Sequence, residues 1–254
     1  MGKAKSNAKN ALKLSFAIDF NIQVDRRNPD FVGRADLLAR LELQIKESRK
    51  SAQGSVHIVL YGTGGMGKTQ LALEYVYRHS TEYSSIFWVN ATSTKTLERD
   101  FIIIMERLVE HHAQHFSGQD PDYTRIGQML GMAGKLDSAG AIILQPGEEK
   151  HVINAVRRYF ATKGNTKWLL IFDNYDDIKS VDIDQYAPAC SHGTVLITTR
   201  RVQCIHGRRG FEVSQMSISE CETLLLKSAV RAWSEIKDDS REYSYGSISL
   251  LPTS

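Results

Sequence analysis

The sequence predicts a three-layer α/β fold, with a parallel sheet covered by helices on both faces. Three observations carry this. Short runs of continuous apolar, β-branched residues recur along the chain, such as Val56–Tyr61, Ser85–Val89, Trp168–Asp173 and Thr194–Thr199. Strands that read apolar throughout, without alternation, are buried on both faces. Stretches of helical periodicity stand between them, the βαβ order of a parallel sheet. A glycine-rich loop, Gly62-Thr63-Gly64-Gly65-Met66-Gly67-Lys68-Thr69, joins the first strand to the next helix.

Taken in order, residues 1–30 predict a poorly ordered basic lead-in, with Lys3, Lys5, Lys9 and Lys13 before any acid. Asp30-Phe31-Val32-Gly33-Arg34 opens a helix in which Leu37, Leu41 and Ile45 share a face. Ser48 to Gly54 reads as a polar linker into the first strand. The glycine loop leads into a helix with Leu73, Val76 and Tyr77 on one side. After Ser85–Val89, Thr92 or Ser93 caps a long helix through Leu97, Phe101, Ile104 and Leu108 to about His112. Residues 117–147 form a partly helical insertion, with a short helix near Tyr123–Met132. Helical spacing returns from Glu148 to Ala161. Phe211-Glu212-Val213 is a short edge strand, and Ser217-Ile218-Ser219-Glu220 is a capping box that starts a last helix. Past Glu235 the apolar pattern ends, so residues 236–254 predict a disordered tail.

The 254 residues are 42% hydrophobic, enough for one sizeable core between the two ends. A net charge of +3 without a basic, aromatic-laced stripe gives no expectation of nucleic acid. No apolar run has the length of a membrane span, and no apolar segment follows the N-terminal lysines as a secretory signal requires. Three cysteines without a pairing pattern, Cys190, Cys204 and Cys221, suit a reducing compartment.

The loop spacing is that of a P-loop, G-x-x-x-x-G-K-[ST]. A nucleotide phosphate needs backbone N–H groups at a helix N-terminus, where the dipole is positive. Gly64, Gly65 and Gly67 are expected to take positive φ and let the backbone approach. Lys68 would reach the β- and γ-phosphates and Thr69 would ligate Mg²⁺. Trp168–Asp173 has the Walker B form, apolar residues ending in a carboxylate that holds the metal through water. Asn174 follows, where vigorous ATPases of this broad class carry a Glu that polarises the attacking water. An amide is no general base at neutral pH, so the site is expected to hold nucleotide more than hydrolyse it. Asp176 and Asp177 read as solvated loop acids. Arg200 ends the strand Thr194–Thr199 at the sheet edge where ligands bind, placed to read a γ-phosphate. Arg201 is expected to face solvent.

These residues resemble the NB-ARC family, the nucleotide switch module of the STAND class of P-loop NTPases, in the form found in NLR-like proteins of filamentous fungi. The likeness runs from Phe31 to Val230. It rests on Phe31-Val32-Gly33-Arg34, Gly65-Met66-Gly67-Lys68-Thr69-Gln70-Leu71-Ala72, Phe87-Trp88-Val89-Asn90, Leu169–Asn174 and Leu196-Ile197-Thr198-Thr199-Arg200. It implies a five-stranded parallel sheet of order 5-1-4-3-2 within a domain spanning residues 31–235. It implies ADP or ATP with Mg²⁺ as ligands. Nucleotide binding then falls to Val32, Arg34, Gly62, Gly64, Gly65, Met66, Gly67, Lys68, Thr69, Gln70 and Arg200, and the metal to Thr69 and Asp173. The family's Gly-Leu-Pro-Leu and Met-His-Asp motifs are absent from this sequence, as if the chain stopped after the nucleotide-binding subdomain.

The resemblance implies a cytoplasmic signalling switch in innate immunity, held off by ADP and able to oligomerise through further modules. Two other functions stay open on the residues alone. One is an active ATPase of AAA+ type using another base, such as Asp176. The other is a degenerate fragment that holds nucleotide weakly.

Overall fold

The computed structural model describes residues 16–18, 27–51, 54–115 and 120–244, the side chains of 232 and 234–244 excepted. Five strands, β1 (Val56–Tyr61), β2 (Ser85–Asn90), β3 (Trp168–Asp173), β4 (Thr194–Thr199) and β5 (Arg209–Glu212), form one sheet. Its order is β2-β3-β4-β1-β5, and every pairing is parallel. This is the predicted order read from the other edge. The helices are α1 (Ala35–Ser51), α2 (Lys68–His79), α3 (Thr94–Gln114), α4 (Tyr123–Leu130), α5 (Glu149–Ala161) and α6 (Ile218–Ser244).

The two faces of the sheet explain its continuous apolar strands. Successive side chains of a strand point to opposite faces. Leu169 and Ile171 of β3 pack with Leu41 and Ile45 of α1 and with Leu71 and Val76 of α2. Leu170 and Phe172, between them in sequence, pack with Phe101 and Leu108 of α3 and Val156 of α5. All four β3 residues are 0% exposed, so both faces must be apolar. Each such side chain contributes on the order of 1.5–3 kcal/mol of burial energy.

Several expectations are corrected at element ends. The supposed linker from Ser48 is helical to Ser51, and Ser48 is buried with its hydroxyl donating to the Gln44 carbonyl. A polar residue that satisfies itself on the preceding turn need not end a helix. Ser93, not Thr92, caps α3: its hydroxyl accepts from Thr96 N (3.2 Å), and its own N–H donates to Thr96 Oγ1 (3.1 Å). The helix runs on to Gln114. The insertion contributes α4, which buries Ile126 and Leu130, while Lys135 and Glu148 pair at 2.6 Å across its base.

The two ends also depart from expectation. Within the predicted lead-in, Ile18 N donates to Ser84 O (2.9 Å) and the Phe16 ring lies 5.7 Å from that of Tyr159. Arg27 grips Glu74 through Nε (3.1 Å) and Nη2 (2.9 Å). Arg78 Nε reaches the same carboxylate at 2.8 Å. Burial raises the Glu74 pKa, but the two guanidiniums outweigh it and hold the group below its ordinary value. At the other end α6 continues to Ser244, nine residues past Glu235, through a stretch without Gly or Pro. Loss of apolar periodicity removes a reason to pack, not a reason to be helical. Residues 245–254 of the predicted tail lie outside the described residues. Among the described residues no helix is long and apolar enough to cross a membrane.

Candidate functional site

The C-terminal ends of β3, β4 and β1, three adjacent strands, meet at one edge, where ligands of open α/β sheets bind. At the end of β1 the chain turns through Gly62 (φ 153°). A Cβ there would lie 2.6 Å from the carbonyl oxygen of Val213, whose N–H is bonded to Tyr61 O (2.8 Å), so only glycine fits beside the strand leaving β5. Gly65 and Gly67 hold φ of 78° and 80°. Gly64 does not share that conformation, contrary to expectation; a Cβ on it would come 3.5 Å from the Arg200 guanidinium carbon and narrow the cleft. Gly67 sits at the N-cap of α2 with no side chain bonded over the helix end. The N–H groups of the first turn are thereby left for an anion.

A cleft of about 250 Å³ opens there, lined by Gly64, Gly65, Gly67, Lys68, Thr69, Gln70, Asn174, Asp176, Thr199 and Arg200. Lys68 folds over the loop and donates to Gly62 O (2.9 Å) and Thr63 O (2.8 Å). Burial lowers its pKa, and nearby Asp176 partly offsets that. Thr69 Oγ1 donates to Asp173 Oδ1 at 2.8 Å, bringing together two residues 104 positions apart. Asp173 is 6% exposed, and its carboxylate also accepts from the Thr198 hydroxyl and from Asn174 Nδ2 (3.3 Å). Met66 packs in the core beneath the loop, and Gln70 Oε1 is buried without a hydrogen-bond partner among the described residues.

These residues fit Mg²⁺. A carboxylate and a hydroxyl at hydrogen-bond distance are hard oxygen donors, and a nucleotide-bound Mg²⁺ fills the rest of its shell with phosphate and water. Among the described residues no group of three or more His, Cys, Asp or Glu forms a protein-only cage.

Several features were not visible in the sequence. Asn174 has φ of 61°, the left-handed region that Asn tolerates better than most residues. That turn lets its N–H donate to Thr198 Oγ1 (2.9 Å) and the next N–H, of Tyr175, to Thr198 O (2.9 Å). Asn at this position therefore has a backbone reason besides its chemistry. Asp176 is no free loop acid: its Oδ1 accepts from Arg200 N (2.6 Å) and its Oδ2 lies 3.2 Å from Arg200 Nε. Arg201, exposed as expected, also donates through Nε to Asp176 O (3.2 Å).

Arg34 also takes a left-handed φ, 58°, and is buried. Its guanidinium spans from Ser214 O (2.6 Å) to Met66 O (3.1 Å), joining the P-loop to the segment before α6. Its N–H donates to Glu220 Oε1 (2.7 Å), and Glu220 Oε2 accepts from Ser217 N (2.8 Å). These backbone bonds, that from Arg34 first, hold the Glu220 pKa down. Val32, half-buried just before, is not among the residues lining the cleft.

A family model described as the NB-ARC domain matches residues 40–235. The chain belongs to the NB-ARC family. Val32 and Arg34 lie before the matched span. An NLR-like protein of the fungus Hyaloscypha variabilis is 24% identical over 91% of this chain, which spans only 22% of that relative's length. RuvB, a Holliday junction branch migration complex subunit of Prochlorococcus marinus, is 46% identical over 44 residues, 17% of this chain and 12% of RuvB. Among solved structures, Cdc6p of Pyrobaculum aerophilum superposes with a TM-score of 0.47 at 11% identity, covering 80% of this chain and 52% of its own. The ORC2 protein of Aeropyrum pernix gives 0.41 at 15% identity, over 81% and 54%. At such scores the likeness is loose; the P-loop NTPase fold of this NB-ARC core rests on its own strand order and loop. Nucleotide binding is the function that this membership and this loop share.

Proposed function

We propose that this NB-ARC core is an ADP/ATP-binding molecular switch of an NLR-like signalling protein, with slow or absent hydrolysis. The observation that carries the reading is the 2.8 Å pairing of Thr69 with Asp173 beneath a glycine loop whose helix end is uncapped. The loop amides and Lys68 would bind the β-phosphate, and Thr69 and Asp173 would hold Mg²⁺, which when bound neutralises phosphate charge. Arg200, beside Gly64, would meet a γ-phosphate. Val32 and Arg34 are assigned to the adenine side on the family resemblance.

Slow turnover follows from the groups beside Asp173. Asn174 offers an amide and no base, and it is turned back on the Asp173 carboxylate. Asp176, the other acid in the cleft, has Oδ1 tied to Arg200 N and Thr199 Oγ1, which argues against an AAA+-type ATPase using it as base. In a longer NLR-like chain, exchange of ADP for ATP would permit self-association in innate immune signalling. The free thiols Cys190, Cys204 and Cys221 favour a cytoplasmic setting.

The test is to denature purified protein, identify any released nucleotide, and follow ATP turnover with Mg²⁺. The expected result is bound ADP and turnover below about 0.01 per second, the range of unassisted switch GTPases. Turnover near 10 per second, typical of ordinary enzymes, would overturn the switch reading. Failure to bind added Mg²⁺–ADP would favour a degenerate fragment.

A further inference from the structure

We propose that Asp176 sets the balance between nucleoside diphosphate and triphosphate in this cleft, by holding the Arg200 guanidinium away from a third phosphate. The inference rests on the nucleotide-binding reading above and adds the residue that regulates which nucleotide is held.

The argument begins with how firmly Asp176 is fixed. Its Oδ1 accepts from Arg200 N (2.6 Å) and Thr199 Oγ1 (3.3 Å), and its carbonyl accepts from Arg201 Nε (3.2 Å). The carboxylate is thus tied to the end of β4 within the cleft it lines. Its second oxygen faces Arg200 Nε at 3.2 Å. Arg200 in turn lies against Gly64, on the loop side of the cleft. One guanidinium is therefore within reach of both an acid and the phosphate loop.

The charges in the cleft decide which nucleotide suits it. Lys68 and Arg200 supply two cations, and Asp173 and Asp176 supply two anions. A diphosphate held by the loop and Lys68 leaves the Arg200–Asp176 pair undisturbed. A triphosphate adds negative charge opposite a fixed carboxylate, and it gains Arg200 only by taking it from Asp176. Like charges in one site disfavour each other. The side chains of Arg200 and Asp176 are 64% and 31% exposed. A pair that open is weak enough for a phosphate to compete with it. When Arg200 leaves, Asp176 keeps its bonds from Arg200 N and Thr199, so the loop after β3 holds its shape in both states.

The test is calorimetric titration of wild type, Asp176→Asn, Arg200→Ala and the double variant with Mg²⁺–ADP and a non-hydrolysable ATP analogue. Asn keeps an acceptor for Arg200 N and removes only the charge. The affinity ratio of triphosphate analogue to ADP is expected to rise at least about fivefold in Asp176→Asn, the lower range of measured coupling between sites. Most of that rise should vanish in the double variant, which has no guanidinium to release. If Asp176→Asn does not fold, Asp176→Ser, whose hydroxyl also accepts, carries the same expectation. A ratio within twofold of wild type, with both nucleotides bound, overturns the role of Asp176 alone. Absence of binding to wild type overturns both this role and the nucleotide reading beneath it.

Discussion

β3 and α6 are positioned in opposite ways. All six residues of β3 are buried; all six pair with β2, and residues 169–172 pair with β4 as well. α6 is more than four times as long, yet Leu225, Leu226, Val230 and Trp233 on it are each about two-thirds exposed or more. What fixes α6 is its root. Glu220 bonds to Arg34 N and Ser217 N, and Arg34 bonds on to Ser214 O and Met66 O. A further tie, Arg231 to Asp30 (3.1 Å), lies three turns along. Asp173 is therefore set by a core that hardly yields, whereas the direction of α6 is set by a few polar bonds that reach the phosphate loop itself.

This contrast predicts a graded series of effects. Ile171→Ala, at the centre of β3, should cost about 2–5 kcal/mol, the range for large-to-small core changes. Urea unfolding measures it, and a cost below 1 kcal/mol would mean β3 is not the rigid half. The packed half also has a pH signature. His112 of α3 is 2% exposed, and burial, with its neighbours His111 and His115, depresses its pKa to about 4. The ordinary value near 6.5 applies once the chain unfolds. The stabilisation is complete above pH 6.5 and is lost as pH falls towards 4, by about 3 kcal/mol in all. His112→Gln should remove that component, read as a smaller difference in stability between pH 7 and pH 4.5. An equal acid loss in both proteins would place His112 in water.

At the root of α6, Glu220→Ala should cost about 1 kcal/mol, as lost N-terminal caps do. It should also speed amide exchange through the first turns of α6 while β3 stays protected. Leu226→Ala is expected to change stability by no more than about 0.5 kcal/mol, as surface substitutions do. A larger loss would show that α6 is packed in solution after all.

Legibility in the sequence followed the range of each interaction. The strands, the P-loop and the box at Ser217 depend on residues within a turn or two of each other, so spacing alone reveals them; spacing left Thr92 and Ser93 open as caps of α3. Asp173 was legible because a β3 tip next to a P-loop has few places to go. The docking of Phe16, Ile18 and Arg27 was not, since a short apolar or basic residue in a polar lead-in carries no sign of its distant partner. The second role of Glu220 was hidden for the same reason: its capping box is local, but its bond to Arg34 spans 186 positions. The left-handed turns at Arg34 and Asn174 were missed because only glycine announces such a conformation. The engagement of Asp176 needed the distance between two loops.

The most direct measurement of the central claim is a titration of wild type and Lys68→Ala with ADP, each with and without Mg²⁺. The account predicts micromolar or tighter binding to wild type, weakened at least about a hundredfold in Lys68→Ala, the loss of roughly 3 kcal/mol expected of a desolvated charged contact. It also predicts that wild-type affinity falls when Mg²⁺ is withdrawn. Equal affinity in both proteins, indifferent to Mg²⁺, would place the nucleotide elsewhere and contradict the account.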